Sequence, residues 1–148
     1  MKLAQKIIKL VEEYSMDSMS DLAAHLRCMQ LLAHNGHNLT YGETFLQDHD
    51  YLGSLYPAYT TAYDGVIENC MGEMEDPDLV EVQVIAVEKL QEIGAVATPY
   101  SELYDLEVEL QEKIKIVLDG ASEGSKQFLG DLAKDSITRC YKLKQLLS

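Results

Sequence analysis

The chain has 148 residues, 47% hydrophobic and 25% charged, which is enough for one buried core and predicts a single domain over residues 1–148. Its 25 acidic residues outnumber 12 Lys and Arg, and the formal charge of −13 opposes binding of the folded body to nucleic acid or to an anionic membrane. No stretch approaches about 18 consecutive apolar residues, so no transmembrane helix is predicted.

The cysteines and the amino terminus bear on the compartment. Cys28, Cys70 and Cys140 are far apart and odd in number, which argues against a disulfide framework and against paired zinc ligands. Lysines interrupt the apolar residues at the amino terminus, so no signal-peptide core is predicted there. We therefore expect a cytoplasmic protein with no membrane partner.

The first part of the chain predicts an extra N-terminal helical segment over residues 1–14, followed by the first long helix. Ser18, with Asp21 three residues later, is a weak start signal for that helix. Apolar residues recur at spacings of three and four in both segments. The two stripes consist of Leu3, Ile7, Leu10 and Tyr14, and of Leu22, Leu26, Met29 and Leu32.

A second long helix is predicted from Thr40, because Thr40 and Glu43 have the spacing of a capping box. Its apolar face has the most regular helical spacing in the chain, and such a face is expected to pack against a partner. The face consists of Phe45, His49, Leu52, Tyr56, Tyr59, Tyr63 and Val66.

The rest of the chain predicts a short helix over residues 77–93 and two further long helices. Asp76-Pro77 and Thr98-Pro99 are start signals, and Gly94 and Gly120 can take the left-handed conformation that ends a helix. The Val80–Val87 run also alternates like a strand, although the helix is preferred. The fold class predicted is all-α. The last two stripes are Leu103, Leu106, Leu110, Ile114 and Val117, and Phe128, Leu132, Cys140, Leu143 and Leu146.

Four residues are candidate metal ligands: His37 just after the first long helix, His49 early in the second, and Asp64 and Glu68 late in the second. Imidazole and carboxylate ligands together suit iron, manganese or zinc. Asp64 and Glu68 are four residues apart and share one helix face.

Distance places this site between two chains. His49 and Asp64 lie on one helix and would be about 22 Å apart at a rise of about 1.5 Å per residue. One site can use all four ligands only if the second helix of one copy runs antiparallel to that of another. A twofold interface produces this arrangement and creates the site twice per dimer.

The spacing resembles the signature of the Dps proteins, the DNA-binding proteins from starved cells, also called mini-ferritins. The resemblance extends more loosely over most of residues 13–148, including a short helix between the second and third long helices and a tight turn near residues 121–125. The matching positions are His37, Gly42, Phe45, His49, Tyr56, Asp64 and Glu68.

The resemblance implies a ferritin-like four-helix bundle that forms twofold dimers and assembles into a hollow dodecamer. It implies a ferroxidase whose metal and catalytic ligands, contributed by two subunits, oxidise ferrous iron with hydrogen peroxide before iron is stored inside. Those ligands would be His37, His49, Asp64 and Glu68.

Two positions depart from the family pattern. Gly53 stands where the family usually has an aspartate ligand, and Asn38 stands where it usually has tryptophan. The ring of Pro57 crowds the carbonyl of Gly53, which predicts a kink in the second helix. Asp48 or Asp50 is the alternative source of the missing carboxylate.

Several other residues have a functional and a structural interpretation. His34 can share a helix face with His37 as a second ligand pair, and the tyrosines of the second helix can relay electrons, although a core role is preferred for them. The resemblance implies acidic residues that guide iron near threefold axes, but an ordinary surface role is equally compatible. The tyrosines are Tyr51, Tyr56, Tyr59 and Tyr63, and the acidic residues are Asp119, Glu123, Asp131 and Asp135.

Two further functions compete with the ferroxidase. One is a non-catalytic Dps-like assembly that protects DNA, supported mainly by Lys2, Lys6 and Lys9. Three lysines in an amphipathic segment make a poor DNA-binding tail beside an acidic body, so DNA binding ranks well below iron binding. The other is a structural descendant that has lost the site, as Gly53 and Pro57 could indicate.

Overall fold

A computed structural model describes residues 2–74 and 76–148, without the side chains of residues 8–17. The described residues form five α-helices and one 3₁₀ helix and contain no strand, which confirms the all-α class. None of their helices is long and apolar enough to cross a membrane. The α-helices are α1 (Leu3–Leu39), α2 (Phe45–Asn69), α3 (Leu79–Ile93), α4 (Tyr100–Leu118) and α5 (Glu123–Leu146), and the 3₁₀ helix is Met71–Glu73.

Helix α1 is continuous for 37 residues, so the predicted N-terminal segment is helical, but the expected break between it and the first long helix is absent. Ser18 starts no new helix because no glycine or proline before Gly36 interrupts the helical backbone. Leu3 and Ile7 are exposed, at 73% and 52%. The side chains of Leu10 and Tyr14, also in the predicted stripe, lie outside those described.

The junction between α1 and α2 differs from the prediction. Thr40 ends α1 instead of starting α2, and its hydroxyl donates to the carbonyl of His37 at 3.3 Å. His37 therefore lies in the last turn of α1 and not after it. Gly42 has a φ of +92°, a conformation that favours glycine, and lets the chain turn back into α2.

Helix α3 settles the ambiguity of the valine-rich run in favour of a helix. Its cap is Asp78 instead of Asp76, since the Asp78 carboxylate accepts from the backbone N–H of Glu81 at 3.0 Å. Gly94 ends α3 with a φ of +86°, and α4 starts directly after Pro99. Gly120 does not adopt a positive φ, so that part of the prediction was wrong.

The four long helices contact one another in a closed ring, in the order α1, α2, α5 and α4. Helix α1 is antiparallel to α2, because Arg27 lies over the ring of Tyr63 late in α2 while His37 contacts His49 early in α2. It is also antiparallel to α4, because Asp21 contacts Lys113 late in α4 while His25, further along α1, contacts Leu106 nearer the start of α4. Helices α2 and α4 therefore run parallel, and residues 70–99 cross over between them.

The crossover carries α3, which packs against α1. Asp21 of α1 accepts from Lys89 of α3 at 2.9 Å and from Lys113 of α4 at 2.5 Å. Burial opposes ionisation of this carboxylate, but the two ammonium groups outweigh that effect and lower the pKa of Asp21. One carboxylate thus links three helices.

The α1 core stripe, Leu22, Leu26, Met29 and Leu32, and the whole α4 stripe are buried, whereas the α5 stripe is buried only at Leu132 and Leu143 and the α2 face divides. Leu52, Tyr59, Tyr63 and Val66 are in the core, whereas Phe45 is 37% exposed and His49 and Tyr56 are half-buried. Helix α2 continues through Pro57 without a break. The first half of α2 therefore keeps part of its predicted apolar face accessible, on the side that carries His49.

Candidate metal centre

His37 and His49 meet where α1 ends and α2 begins. Their imidazole rings are stacked, with centroids 3.7 Å apart and an interplanar angle of 21°. The short turn through Gly42 returns the chain so that two residues separated by 12 positions face each other. The two histidines predicted as ligands are thus brought together within one chain.

Each ring is held by the backbone of the other residue. Nδ1 of His37 donates to the carbonyl of His49 at 2.7 Å, and Nδ1 of His49 donates to the carbonyl of His37 at 2.9 Å. Because a carbonyl oxygen only accepts, both Nδ1 atoms carry hydrogen, and each neutral ring has its lone pair on Nε2. A backbone-held Nδ1–H is how proteins commonly orient metal-binding histidines.

Aromatic rings surround this pair. Phe45 stacks on His49 with centroids 4.9 Å apart, and Tyr56 lies against His37 at 5.4 Å. His34 is next to His37 at 6.4 Å, but it stacks on Tyr56 at 4.1 Å. The packing restricts how the imidazoles can turn.

Gly53 lies directly under the His37 ring. A Cβ atom at this position would be 3.0 Å from Cε1 and 3.2 Å from Nδ1 of His37. A side chain at this position, where the family pattern has a carboxylate, would therefore press against the imidazole.

Asp48 does not supply the missing carboxylate within this chain. Its Oδ2 accepts from the Thr44 hydroxyl at 2.7 Å, and its Oδ1 accepts from the Tyr100 hydroxyl at 2.7 Å. Burial and then this hydrogen bond raise the pKa of Tyr100 well above its usual value. Asp48 ties the start of α2 to the start of α4, and the exposed Asp50 has no described partner at the histidine pair.

Asp64 and Glu68 are exposed near the end of α2, away from the histidines along the helix. Their distance from His49, about 22 Å for Asp64 by helical rise, keeps them out of a site within one chain. Among the described residues, no group of three or more His, Cys, Asp and Glu side chains could hold a metal ion. Around the helix axis, however, His49 and Asp64 are only about 60° apart.

The fourth histidine, His25, has a different environment. It is fully buried, and its Nε2 donates to the carbonyl of Leu106 at 2.7 Å. Burial lowers the pKa of His25 to about 4, so the ring is neutral over most of the pH range. Its position between Leu22 and Met29 on the apolar stripe could have identified it as a core residue.

A charged group in the core was missed by the sequence analysis. Glu107 is fully buried, its Oε1 accepts from Nε of Arg139 at 2.6 Å, and its Oε2 accepts from the Ser136 hydroxyl at 2.6 Å. Its place between Leu103 and Leu110 on the α4 stripe was the available signal. Burial opposes the charge on Arg139, but the carboxylate outweighs it and raises the Arg139 pKa.

The predicted acidic guides are surface residues. Asp119, Glu123, Asp131 and Asp135 are all exposed. Two of them, Asp131 and Asp135, line a cavity of about 280 Å³ between α2 and α5 together with Arg139. Their arrangement fits an ordinary solvated surface as well as an iron path.

No protein-family model, curated protein or solved structure matches the chain.

Proposed function

We propose that the chain is a ferritin-like protein of the Dps type, which binds ferrous iron between two subunits and oxidises it with hydrogen peroxide. The observation that carries this proposal is the pair of reciprocal hydrogen bonds between His37 and His49. Because both use Nδ1, they leave two oriented Nε2 lone pairs for a metal ion at a half-buried position. Iron is the substrate of this reaction, and its oxidised form is the stored product.

The topology supports the ferritin-like class. Four long helices in a ring, with α2 parallel to α4 and one long connection through residues 70–99, fit a bundle with a single crossover. Ferritin-like folds are the four-helix bundles that have one such crossover. The twelve-subunit shell follows from the family resemblance and the cytoplasmic location from the cysteine pattern and the amino terminus, and both remain expectations.

The disposition of α2 supports a shared site. His49 and Asp64 lie towards the same side of the helix, and Asp64 and Glu68 are exposed one turn apart. If two α2 helices pair antiparallel with His49 opposite Asp64, the twofold axis passes near Tyr56 and Pro57. Each site would then have two imidazoles from one copy and two carboxylates from the other, a ligand set that suits iron.

The chemistry required of the protein is modest. Each ferrous ion loses one electron, and one peroxide accepts two electrons and two protons to give two water molecules. The chain contributes ligands that hold the iron ions next to each other and within reach of the oxidant. Its formal charge of −13 attracts the cations. A non-catalytic assembly with a DNA-protecting or structural role is the alternative, and it predicts no peroxide-dependent oxidation.

A complementation experiment tests the shared site. His49→Ala and Glu68→Ala should each abolish ferrous oxidation, measured as ferric absorbance after anaerobic iron loading and peroxide addition. When the two inactive chains are co-expressed and pair at random, half of the dimers are mixed, and each mixed dimer has one intact site. We therefore expect about one quarter of the wild-type activity to return.

The controls separate the possible failures. Glu112→Ala, at an exposed position on α4, should oxidise iron like the wild type. A site within one chain would leave the co-expressed mixture inactive. A wild type that is no faster than buffer would reject catalysis and leave the non-catalytic assembly.

A further inference from the structure

Helix α2 contains a glycine, Gly53, one turn after His49 and in contact with the His37 ring. Glycine is a poor helix former, so its presence inside α2 calls for a reason from packing. A Cβ atom here would be 3.0 Å from Cε1 and 3.2 Å from Nδ1 of His37, tighter than ordinary van der Waals contact. Any larger residue requires the imidazole to move.

Neighbouring rings restrict the half-buried imidazole: the His49 ring is stacked on it at 3.7 Å, and the rings of Tyr56 and His34 lie at 5.4 Å and 6.4 Å. A shift away from Gly53 also lengthens the 2.7 Å hydrogen bond from Nδ1 to the His49 carbonyl, which sets the direction of Nε2. The His37 ring therefore packs between the neighbouring aromatic rings and the backbone of Gly53, which has no side chain to displace it.

We propose that Gly53 is a positioning residue for His37, and that this half of the site is built for two imidazoles with no carboxylate of its own. The inference rests on the proposed function for its role in metal binding. Two neutral imidazoles favour Fe²⁺, Co²⁺ or Zn²⁺ over Mg²⁺ or Ca²⁺, which prefer oxygen ligands. Carboxylates then come only from Asp64 and Glu68 of the second copy.

If only the number of ligands mattered, Gly53→Asp would bind metal more tightly than the wild type, but the contact with His37 predicts weaker binding. Gly53→Asp adds a carboxylate beside the site, but its Cβ displaces the His37 ring. We expect Gly53→Asp to bind metal more weakly than the wild type, and Gly53→Ala to be weakened as well, because the Cβ atom alone causes the displacement. The displacement strains the hydrogen bond that orients Nε2 of His37, and mutation of such an orienting partner typically lowers metal affinity about 10- to 100-fold.

The chain offers matched controls for both substitutions. Gly130 is also a helical glycine, in α5, and a Cβ atom there meets nothing within 4 Å. Gly130→Ala therefore repeats the change of residue type without a clash. Ser54→Asp adds the same negative charge at the neighbouring exposed position of α2, away from the His37 ring.

The experiment combines two measurements on each full-length variant. Co²⁺ is titrated into the protein and followed by its visible absorption, and the imidazole tautomers of the metal-free protein are read from ¹⁵N NMR shifts. We expect both Gly53 variants to lose at least about tenfold in Co²⁺ affinity and to show altered His37 nitrogen shifts. Gly130→Ala and Ser54→Asp should stay within about twofold of the wild type.

The two readouts distinguish this inference from the proposed function. If the wild type binds no Co²⁺, the proposed metal site fails, while altered His37 shifts in Gly53→Ala still support the positioning role. Unchanged His37 shifts in Gly53→Ala would overturn that role. Co²⁺ binding by Gly53→Asp as tight as that of the wild type would overturn the two-imidazole half-site.

Discussion

Two polar clusters in this protein use similar side chains in opposite ways. In the bundle interior, both carboxylate oxygens of the fully buried Glu107 accept hydrogen bonds, one from Arg139 and one from Ser136, each at 2.6 Å. At the junction of α1 and α2, His37 and His49 are half-buried. Nδ1 of each ring donates a hydrogen bond to the backbone carbonyl of the other residue, which leaves the lone pair of Nε2 as a potential metal ligand.

The difference separates a structural cluster from the one that we propose carries chemistry. A buried charge is tolerated only when partners compensate its lost hydration, and both oxygens of the Glu107 carboxylate are paired within the protein. We call this the closed cluster, although Nη2 of Arg139 has no hydrogen-bond partner among the described residues. The histidine pair is oriented by hydrogen bonds that do not consume its second nitrogen, which leaves it open to a ligand. Removing a member should therefore affect stability in the first cluster and activity in the second.

The largest expected effect is the loss of iron oxidation in His49→Ala. One of two Nε2 donors disappears and His37 loses its stacking partner, so the peroxide-dependent rate should fall by about 100-fold or more. Because His49 is half-buried at a helix end, unfolding in urea should change by only about 1 kcal/mol. A loss of stability much larger than this would remove the contrast between the two clusters.

The closed cluster should respond in the opposite sense. Glu107→Ala leaves the guanidinium of Arg139 buried without its carboxylate, which should lower the free energy of unfolding by about 3–5 kcal/mol. The double variant Glu107→Leu with Arg139→Leu removes both charges and should lose less. Glu109→Ala, at an exposed position two residues away, is the control for urea denaturation.

Stripes of apolar residues were enough to predict the all-α class and the regions of the helices, because burial selects every third or fourth residue. Helix ends were harder, since local signals compete. Thr40 has the spacing of a capping box with Glu43, but its hydroxyl bonds back to His37 and ends α1. A single sequence does not decide which of two helices a threonine will cap.

For the site, spacing predicted that His37 and His49 act together, and a tight turn brings them into contact. The contact between Gly53 and His37 could not be predicted, because it depends on how the ring is rotated across two helices. The pairing of Glu107 with Arg139 likewise joins residues 32 positions apart, and only the packing of α4 on α5 brings them together.

His25 allows a structural role to be compared with the proposed chemical role for the same residue type, because it is fully buried whereas His37 and His49 are half-buried. Its folded-state pKa of about 4 lies below the ordinary 6.5, so the unfolded chain binds the proton first as the pH falls. The contribution of neutral His25 to the free energy of unfolding is fully present above pH 6.5. It is lost as the pH falls from 6.5 towards 4, by about 3 kcal/mol in total.

The test is urea unfolding of the wild type and of His25→Gln at pH 7 and pH 4.5. Glutamine can keep a donor to Leu106 but does not titrate, so the variant should lose less stability between the two pH values. The lowered pKa of Asp21 acts in the same direction, but below 3.8 and thus outside this window. Equal losses in both proteins would mean that His25 is not the group responsible.

The smallest expected effect concerns Asp48. This carboxylate is close in sequence to His49, but like Glu107 it has both oxygens in hydrogen bonds within the protein. Tyr100→Phe removes the hydroxyl that donates to Asp48 at 2.7 Å, which should lower the free energy of unfolding by about 1–2 kcal/mol. Iron oxidation should be unchanged, because Asp48 ties α2 to α4 instead of facing the proposed metal site. An iron oxidation rate that rose in Tyr100→Phe would show that the released carboxylate can reach the iron, and would move Asp48 from the structural to the chemical cluster.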